Sequence, residues 1–159
     1  MRVIGMALAL GLLAGVASAQ GTAVDLGGLQ ADPSAPVEVV ADQLTVDRET
    51  GRAVFSGNVA IAQGALRITA QQVEVVYDET TGDIARLTAT GGVTFVTETE
   101  AAEAQSAVYD LTAGVLTLTG DVLLTQGASA LAANAMTVNL ETGEARMEGR
   151  VRTVFAQDN

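Results

Sequence analysis

Apolar and polar residues alternate along most of the chain after residue 37. Leu116 and Leu118 are separated by Thr117, for example, and the residues around Val93 and Phe95 repeat the pattern. Period two over five to seven residues rich in Val, Ile and Thr is typical of half-buried strands. The pattern therefore predicts an all-β chain in which helix is almost absent.

Turn signals separate these strands. Asp- or Thr-rich segments, one of which begins at Asp47 and another at Asp78, close at Gly51, Gly82, Gly114 and Gly143. An Asp can cap the backbone donors of such a turn, and the closing glycine can take a positive φ. Sharp reversals at this spacing favour antiparallel hairpins. The Ala- and Glu-rich residues 100–107 lack a clear alternation, and we expect a loop or a strand edge there.

A short phrase recurs four times and divides the chain into units. It reads Gly57-Asn58-Val59, Gly92-Val93, Gly120-Asp121-Val122 and Gly149-Arg150-Val151. A second mark opens each unit, at Ala41-Asp42, Ala70-Gln71, Ala104-Gln105 and Ala133-Asn134. Such repeats imply units that bury their apolar faces against their neighbours. Each phrase glycine either marks a bulge that bends a strand or only begins a strand after a hairpin.

The first residues do not have the pattern of a folded domain. Met1-Arg2 precedes an uncharged apolar run from Val3 to Val16, and Ala17-Ser18-Ala19 is a small-x-small cleavage signal. Residues 1–19 are therefore predicted to be a cleaved secretory signal peptide. Residues 20–36 are expected to be a flexible lead-in, residues 37–155 a single β domain, and residues 156–159 a tail.

Charge and composition narrow the possible chemistry. Without Arg2 the chain has 7 basic and 19 acidic residues, a formal charge of −12, which lacks the basic footprint of a nucleic-acid-binding protein. There is no His, Cys or Lys, so Ser–His and Cys–His catalysis is excluded and the serines have no base. Carboxylates such as Glu100 are interpreted as solvated charge on turns or polar faces. We therefore expect no enzyme, no metal site and no cofactor.

The inward faces are built from medium-sized aliphatic residues, because aromatic residues make up only 3% of the chain. Either these faces pack on each other, or they stay apart and an aliphatic ligand enters, with about 0.8 kcal/mol gained for each buried methylene. The candidate groove residues are Val59, Ile61, Leu66, Ile68, Val73, Val75, Val93, Phe95, Leu116, Leu118, Val122, Leu124, Met136 and Val138.

The order of these motifs resembles the OstA-like (LptA-like) family of lipopolysaccharide-transport proteins. The resemblance covers residues 37–155. It rests on a signal peptide followed by Ala41-Asp42-x-Leu44, Gly57-Asn58-Val59, Gln63-Gly64, Leu66-x-Ile68-x-Ala70, Val76-Tyr77, Ala89-Thr90-Gly91-Gly92-Val93, Ala107-x-Tyr109-Asp110, Leu116-x-Leu118-x-Gly120-Asp121-Val122 and Gly149-Arg150-Val151-Arg152. Single pieces are common in proteins, and the ordered series is the specific signal.

The resemblance implies an open, twisted antiparallel β-jellyroll of two sheets whose apolar groove holds the acyl chains of lipid A. It implies a non-enzymatic periplasmic carrier that associates head to tail with itself and with LptC-like and LptD-like jellyroll proteins. The edge residues expected to associate are Val37, Val39, Val151 and Phe155. Arg48, Arg52 and Arg67 are candidate contacts for head-group phosphates.

Two alternatives remain at this point. One is a structural β-solenoid filament module with a solid interior. The other is a membrane-anchored, LptC-like component of the same pathway.

We predict that the exported chain begins at Gln20, because the cleavage triplet ends at Ala19. Intact-mass spectrometry of protein released from the exporting cell would measure this directly. A mature terminus at Gln20 excludes the membrane-anchored alternative, whereas a mass that retains residues 1–19 would contradict the prediction.

Overall fold

The computed structural model of the chain describes residues 22–25, 32 and 34–155, so the predicted signal peptide and the tail lie outside the described residues. The described chain contains eleven strands and no helix. They are β1 (Thr22–Asp25), β2 (Val37–Val40), β3 (Gln43–Asp47), β4 (Arg52–Gln63), β5 (Leu66–Tyr77), β6 (Ile84–Val96), β7 (Glu100–Asp110), β8 (Val115–Gln126), β9 (Ser129–Asn139), β10 (Glu144–Glu148) and β11 (Arg152–Val154).

Neighbouring strands are antiparallel at all ten pairings within the described residues. The strand order is β1-β10-β9-β8-β7-β6-β5-β4-β2, with β3 also beside β4 and β11 also beside β9. From β4 to β9, each strand therefore lies beside the one that precedes it in sequence. The prediction of an antiparallel all-β domain is confirmed, and the solenoid alternative is wrong, because this meander is built from hairpins.

The recurring glycine phrase forms β-bulges in alternate long strands. Gly57 and Asn58 together lie opposite Gln71, and Gly120 and Asp121 together lie opposite Asn134. The register of β6 shifts in the same way at residues 91–92. Both residues of each bulge have positive φ, for example 79° at Gly57 and 45° at Asn58. Of the two alternatives left by the sequence, the bulge is therefore the one observed, and the turn-to-strand alternative is wrong.

The second sequence mark supplies the side chain that faces each bulge. Asp42 accepts a hydrogen bond from Asn58 Nδ2 at 2.9 Å and donates its backbone N–H to the oxygen of Gly57 at 2.9 Å. The backbone N–H of Asn134 donates to the oxygen of Gly149 at 2.8 Å in the same way. These contacts lie on the solvent side of the bend and repeat from one end of the sheet to the other. The glycine phrase and the polar residue that opens each unit therefore contact each other at the bulge.

The line of bulges divides the sheet into two half-sheets. Half-sheet A contains β1, β3, β10 and residues 52–56, 72–77, 84–90, 106–110, 115–119 and 135–139. Half-sheet B contains β2, β11 and residues 59–63, 66–70, 93–96, 100–104, 122–126 and 129–133. β2 continues into β3, and β10 into β11, across the same line. The domain therefore consists of eight bent strands in two layers, with the short β1 added beside β10 in half-sheet A.

The inner faces of the two half-sheets form one hydrophobic core. Leu118 and Met136 from half-sheet A belong to the same buried cluster as Phe95 and Leu124 from half-sheet B, and each has no measurable exposure. Alternate residues on each strand face inward, as the burial pattern of β7 illustrates. The fold is thus an antiparallel β-jellyroll of two sheets, as predicted.

The turns follow the predicted chemistry. The Asp78 carboxylate accepts hydrogen bonds from the backbone N–H groups of Thr80 at 2.8 Å and Thr81 at 2.9 Å, and these donors lower the pKa of Asp78. The last turn uses Asn139 in place of an Asp, with bonds of 3.0 and 3.1 Å to the backbone N–H groups of Glu141 and Thr142. Both of these turns therefore satisfy backbone donors locally.

Two expectations differ from the structure. Residues 100–107 are not a loop or a strand edge but part of β7, a central strand between β6 and β8. Alanine occurs on both faces of β7, at Ala101 and Ala102 for example, so its sequence shows no clear alternation. The lead-in over 20–36 contains β1, which the sequence did not predict, because its four residues derive their strand conformation from pairing with β10.

Gly91 and Gly92 offer a matched test of the bulge, because both have a φ of 85°. A Cβ on Gly91 would lie 2.7 Å from Cβ of Gln71, whereas one on Gly92 would meet nothing within 4 Å. We expect Gly92→Ala to cost about 1–2 kcal/mol of unfolding free energy through backbone strain. Gly91→Ala should cost about 1–3 kcal/mol more through overlap with Gln71.

Urea unfolding followed by far-ultraviolet circular dichroism measures both variants. Equal unfolding free energies for the two would contradict the contact between Gln71 and the bulge.

Candidate functional site

The fourteen predicted groove residues all lie in the shared interior. None is more than 3% exposed. Half-sheet A supplies six of them, among them Val73 and Met136, and half-sheet B supplies the other eight, among them Ile61 and Val122. The structure therefore brings the whole predicted set together in one apolar layer.

Other residues of this layer were not predicted. Many are alanines, and the additional buried residues are Ala53, Ala70, Leu87, Ala89, Ala102, Ala104, Ala107, Tyr109, Leu131, Ala133, Leu140, Ala145 and Met147. Alanine gives little signal for a face, since it also occurs at outward positions such as Ala60 and Ala101. Because alanine side chains are small, they allow the two half-sheets to pack closer together.

Side chains of the protein itself fill the space between the half-sheets. Leu116, Leu118 and Leu124 have no measurable exposure, so no surface of theirs is available to a ligand in this conformation. Of the two outcomes that the sequence left open, the structure has the one in which the faces pack on each other. An aliphatic ligand can reach these residues only if the half-sheets move apart.

The rim of half-sheet B carries buried polar side chains. Gln63, Thr97 and Glu100 are at most 8% exposed. Glu100 accepts a hydrogen bond from Gln126 Nε2 at 2.8 Å through Oε1 and one from Thr97 Oγ1 at 3.2 Å through Oε2. The expectation that Glu100 is a solvated charge is therefore wrong. We call Gln63, Thr97, Glu100 and Gln126 the polar lip, because they lie where the strands of half-sheet B reach their turns.

One hydrogen bond joins the polar lip to half-sheet A. The hydroxyl of Tyr109 donates to Gln63 Oε1 at 2.9 Å, and Gln63 Nε2 donates to the backbone oxygen of Ala35 at 3.1 Å. Tyr109 is 2% exposed, and its burial raises the pKa of its phenol, because the ionised form would be poorly solvated. The link is thus neutral at physiological pH and holds the two rims together. No local sequence signal could have revealed it, since the two residues are 46 positions apart.

A cleft of about 630 Å³ opens beside this link. Ala35, Val37 and Gln63 line one side of it, and the turns after β5 and β7 line the other, including Ile84 and Leu111. Ile84, Leu111 and Val37 also pack against the core. The cleft therefore lies between the rims of the two half-sheets and connects the surface with the edge of the apolar layer.

The three candidate arginines lie at two different turns. Arg48 is exposed in the β3–β4 turn, and Arg52 at the start of β4 lies 3.7 Å from Glu74 in an exposed ion pair. Arg67, at the β4–β5 turn, donates to the backbone oxygens of Gly64 at 2.6 Å and Leu66 at 2.8 Å. Arg52 and Arg67 thus already have partners within the chain.

The two ends of the sheet carry the most exposed large apolar side chains of the described residues. At the N-terminal edge these are Val40, Leu44 and Val46, which are 54–58% exposed; at the C-terminal edge they are Val151, Val154 and Phe155, which are 43–74% exposed. Among the predicted edge residues, Val37 and Val39 in β2 are instead half-buried against the core. Long, exposed apolar edges of this kind favour strand-to-strand association.

Other kinds of site receive no support from the described part of the chain. Residues 22–25, 32 and 34–155 contain no group of three or more Asp or Glu side chains arranged to hold a metal ion. Nor do those residues form a helix of the length and hydropathy needed to cross a membrane.

Comparison with solved structures supports the fold. The chain is similar to the crystal structure of LptH, described as the LptA homologous periplasmic component of the conserved lipopolysaccharide transport device from Pseudomonas aeruginosa. The TM-score is 0.72 at 17% sequence identity, and the alignment covers 80% of this chain and 99% of that one. At this identity the likeness concerns the jellyroll architecture alone.

Two curated proteins are similar in sequence. An uncharacterised protein of Rhizobium meliloti (strain 1021) is 29% identical over 156 residues, which cover 91% of this chain and 84% of that protein. The lipopolysaccharide export system protein LptH of Pseudomonas aeruginosa is 34% identical over 82 residues, which cover 52% of this chain and 46% of that protein. The similarity to LptH thus extends over about half of each chain.

A family model provides the assignment. The model of the LptA/(LptD N-terminal domain) lipopolysaccharide transport proteins matches residues 38–144. This segment is more than half of the chain and includes all the bulges except the last, at Gly149. Together with the bent antiparallel sheet and its apolar interior, the match shows that the chain belongs to the LptA/(LptD N-terminal domain) family of lipopolysaccharide transport proteins.

Proposed function

We propose that this protein is a non-enzymatic periplasmic carrier that holds the acyl chains of lipopolysaccharide between its half-sheets and passes the lipid from the inner to the outer membrane. The observation that carries the proposal is the continuous apolar layer, which extends from β2 to β10 in a member of a lipopolysaccharide transport family. The periplasmic location is supported by the predicted signal peptide and by the periplasmic LptH, which has the same fold.

Loading requires the half-sheets to part, since the apolar side chains now pack on each other. Parting exposes inner faces, which is unfavourable, but each methylene of an acyl chain that replaces water returns about 0.8 kcal/mol. A lipid with several long chains therefore offsets the loss of contacts between the faces. The Tyr109–Gln63 hydrogen bond is a polar link between the rims that this motion must break, and such a bond has a net value of about 1 kcal/mol.

The polar lip suits the boundary between acyl chains and head group. Gln63, Glu100 and Gln126 carry hydrogen-bonding groups at the rim of an otherwise apolar face. When the rims separate, these groups become available to the amide and hydroxyl groups of an amphipathic lipid. The head group would then stay outside, with the chains between the half-sheets.

Head-to-tail association with a second copy is compatible with the strand directions. Seven successive antiparallel steps lead from β3 to β10, so β10 runs opposite to β3. The same reasoning makes β11 run opposite to β2. A second copy in the same orientation can therefore add its β2–β3 edge to β10–β11 in antiparallel fashion and continue both half-sheets. LptC-like and LptD-like jellyrolls are the corresponding partners at the two ends of such a row.

Leu124 and Leu123 provide a matched test of where the lipid lies. They are neighbours in β8, but Leu124 is fully buried between the half-sheets and Leu123 is 40% exposed on the outer face. With a small diazirine amino acid at each position in turn, we expect photo-crosslinking to lipopolysaccharide in cells at position 124 and at least tenfold less at position 123.

Circular dichroism of the purified variants verifies that both are folded. A folded protein that captures no lipopolysaccharide at position 124, or captures it equally at both positions, would contradict the proposed interior site.

A covalent link between the rims tests whether the half-sheets must part. The chain has no native cysteine, so Gln63→Cys with Tyr109→Cys introduces the only two thiols, at positions whose side chains now touch. We expect linkage by a short bismaleimide to reduce lipopolysaccharide binding in vitro at least tenfold, because the rims can no longer separate.

The control is Ala60→Cys with Thr69→Cys, a directly opposed and exposed pair on β4 and β5 within half-sheet B. Its linkage leaves the rims free and should leave binding unchanged. Equal binding by both linked proteins would show that the lipid does not enter between the rims.

A further inference from the structure

Strand β1 occupies the edge at which a second copy would bind. Thr22–Asp25 pairs with β10 in antiparallel fashion, with Ala23 opposite Arg146 and Val24 opposite Ala145. β1 thereby becomes the last strand of half-sheet A at the C-terminal end. β11, which continues the same end in half-sheet B, has β9 as its single partner among the described strands. One half of the C-terminal edge is therefore covered, and the other half is open.

The direction of β1 matches that of the strand it would exclude. β1 is antiparallel to β10, and β10 runs opposite to β3, so β1 and β3 run in the same direction. In the head-to-tail arrangement, β3 of the second copy needs the backbone groups of β10 that now pair with β1. β1 and the incoming β3 are therefore alternative occupants of one site.

From this juxtaposition we propose that β1 is an intramolecular cap on the β10 edge, which the β2–β3 edge of a second copy displaces during assembly. The proposal rests on the head-to-tail association given above and adds a control over it. Covering an edge strand prevents unprogrammed association of a chain that must remain separate until it reaches its partners.

Two differences explain why β1 stays on β10 in an isolated copy and is displaced during assembly. β1 is part of the same chain as β10, whereas the edge of a second copy is longer. Because β1 belongs to the same chain as β10, its pairing does not depend on the protein concentration, and β1 prevails over free copies when these are dilute. β1 offers four residue pairs with β10, whereas the incoming edge offers β3 together with β2, nine residues in all. The exposed Val40, Leu44 and Val46 of the incoming edge would also pack against the exposed Val151, Val154 and Phe155 of the first copy. The second copy therefore gains the larger interface once it is held in line.

A disulfide tests the cap in the full mature chain. Ala23→Cys with Arg146→Cys places thiols on directly opposed residues, whose separation in an antiparallel pair lies within disulfide range. We expect the oxidised protein to remain monomeric in sedimentation velocity at concentrations where the unmodified chain associates. Reduction should restore the association.

A complementary variant releases the cap. Ala23→Pro with Val24→Pro removes two successive backbone donors, one of which faces β10 in any antiparallel register. We expect association at a concentration at least tenfold lower than that of the unmodified chain. Added to this variant, Leu44→Asp should abolish association because it charges the incoming edge, whereas Leu123→Asp, on the exposed outer face of β8, should not.

Association that is unaffected by both the disulfide and the prolines would overturn the cap. Association of the proline variant that persists with Leu44→Asp would mean that another surface takes the place of β1, and this too overturns the proposal. Lipopolysaccharide capture at position 124 of the oxidised monomer reports separately on the carrier function, so failure of the cap and failure of the carrier give different results.

Discussion

The structure depends on β-bulges, in which two residues of one strand lie opposite one residue of its neighbour, and which repeat along a single line across the sheet. In β4, β6 and β8 a pair of residues with positive φ lies opposite one residue of the neighbouring strands. A single bulge would kink one strand, but bulges in register bend all strands at the same level. The bend allows a meander to fold onto itself, so the inner faces of both halves are buried by the same side chains. Without it, half of the apolar residues would have no partner layer.

The same geometry separates stability from function along each strand. Near the bend, small inward residues such as Ala70 and Ala104 let the half-sheets approach closely, and the polar side chains outside fix the bulges. Near the turns, the half-sheets are joined by side-chain contacts such as that of Tyr109 with Gln63. Hydrogen bonds thus fix the bend, whereas side-chain contacts hold the two half-sheets together on the side of the turns. A ligand can enter on that side without disrupting the hydrogen-bond ladders.

The sequence predicted the fold well because its strongest signals are local. Alternation identified the inward residues wherever Val, Leu or Ile alternated with Thr along a strand. The glycine phrase marked the bend because few residues other than glycine, Asn and Asp adopt positive φ readily. The prediction failed where those signals were weak. β7 was misjudged because alanine occupies both of its faces, and β1 was not predicted because four residues take their conformation from a strand far away in sequence.

The candidate site was predicted only in its apolar part. Val93, Leu118 and Val138 could be assigned to the interior because burial follows from hydrophobicity and period. The polar lip could not be found in this way. Glu100 has the charge of a surface residue, and its burial depends on Thr97 in the preceding turn and on Gln126, which lies 26 positions away and comes to face it only when β7 and β8 have paired. Long-range contacts between polar residues leave no periodic trace in the sequence.

The placement of the bulges on every second strand also limits how such a domain can change in size. Since β4, β6 and β8 carry the bulges and the strands between them carry the single opposing residue, the structural period is a hairpin rather than a strand. One added strand would break this alternation and reverse the direction of the far edge. Growth must therefore occur by whole hairpins, which lengthen the interior by about 10 Å at a time. The interior of a relative would then grow in discrete steps, while the two edge strands of its sheet keep their relative direction.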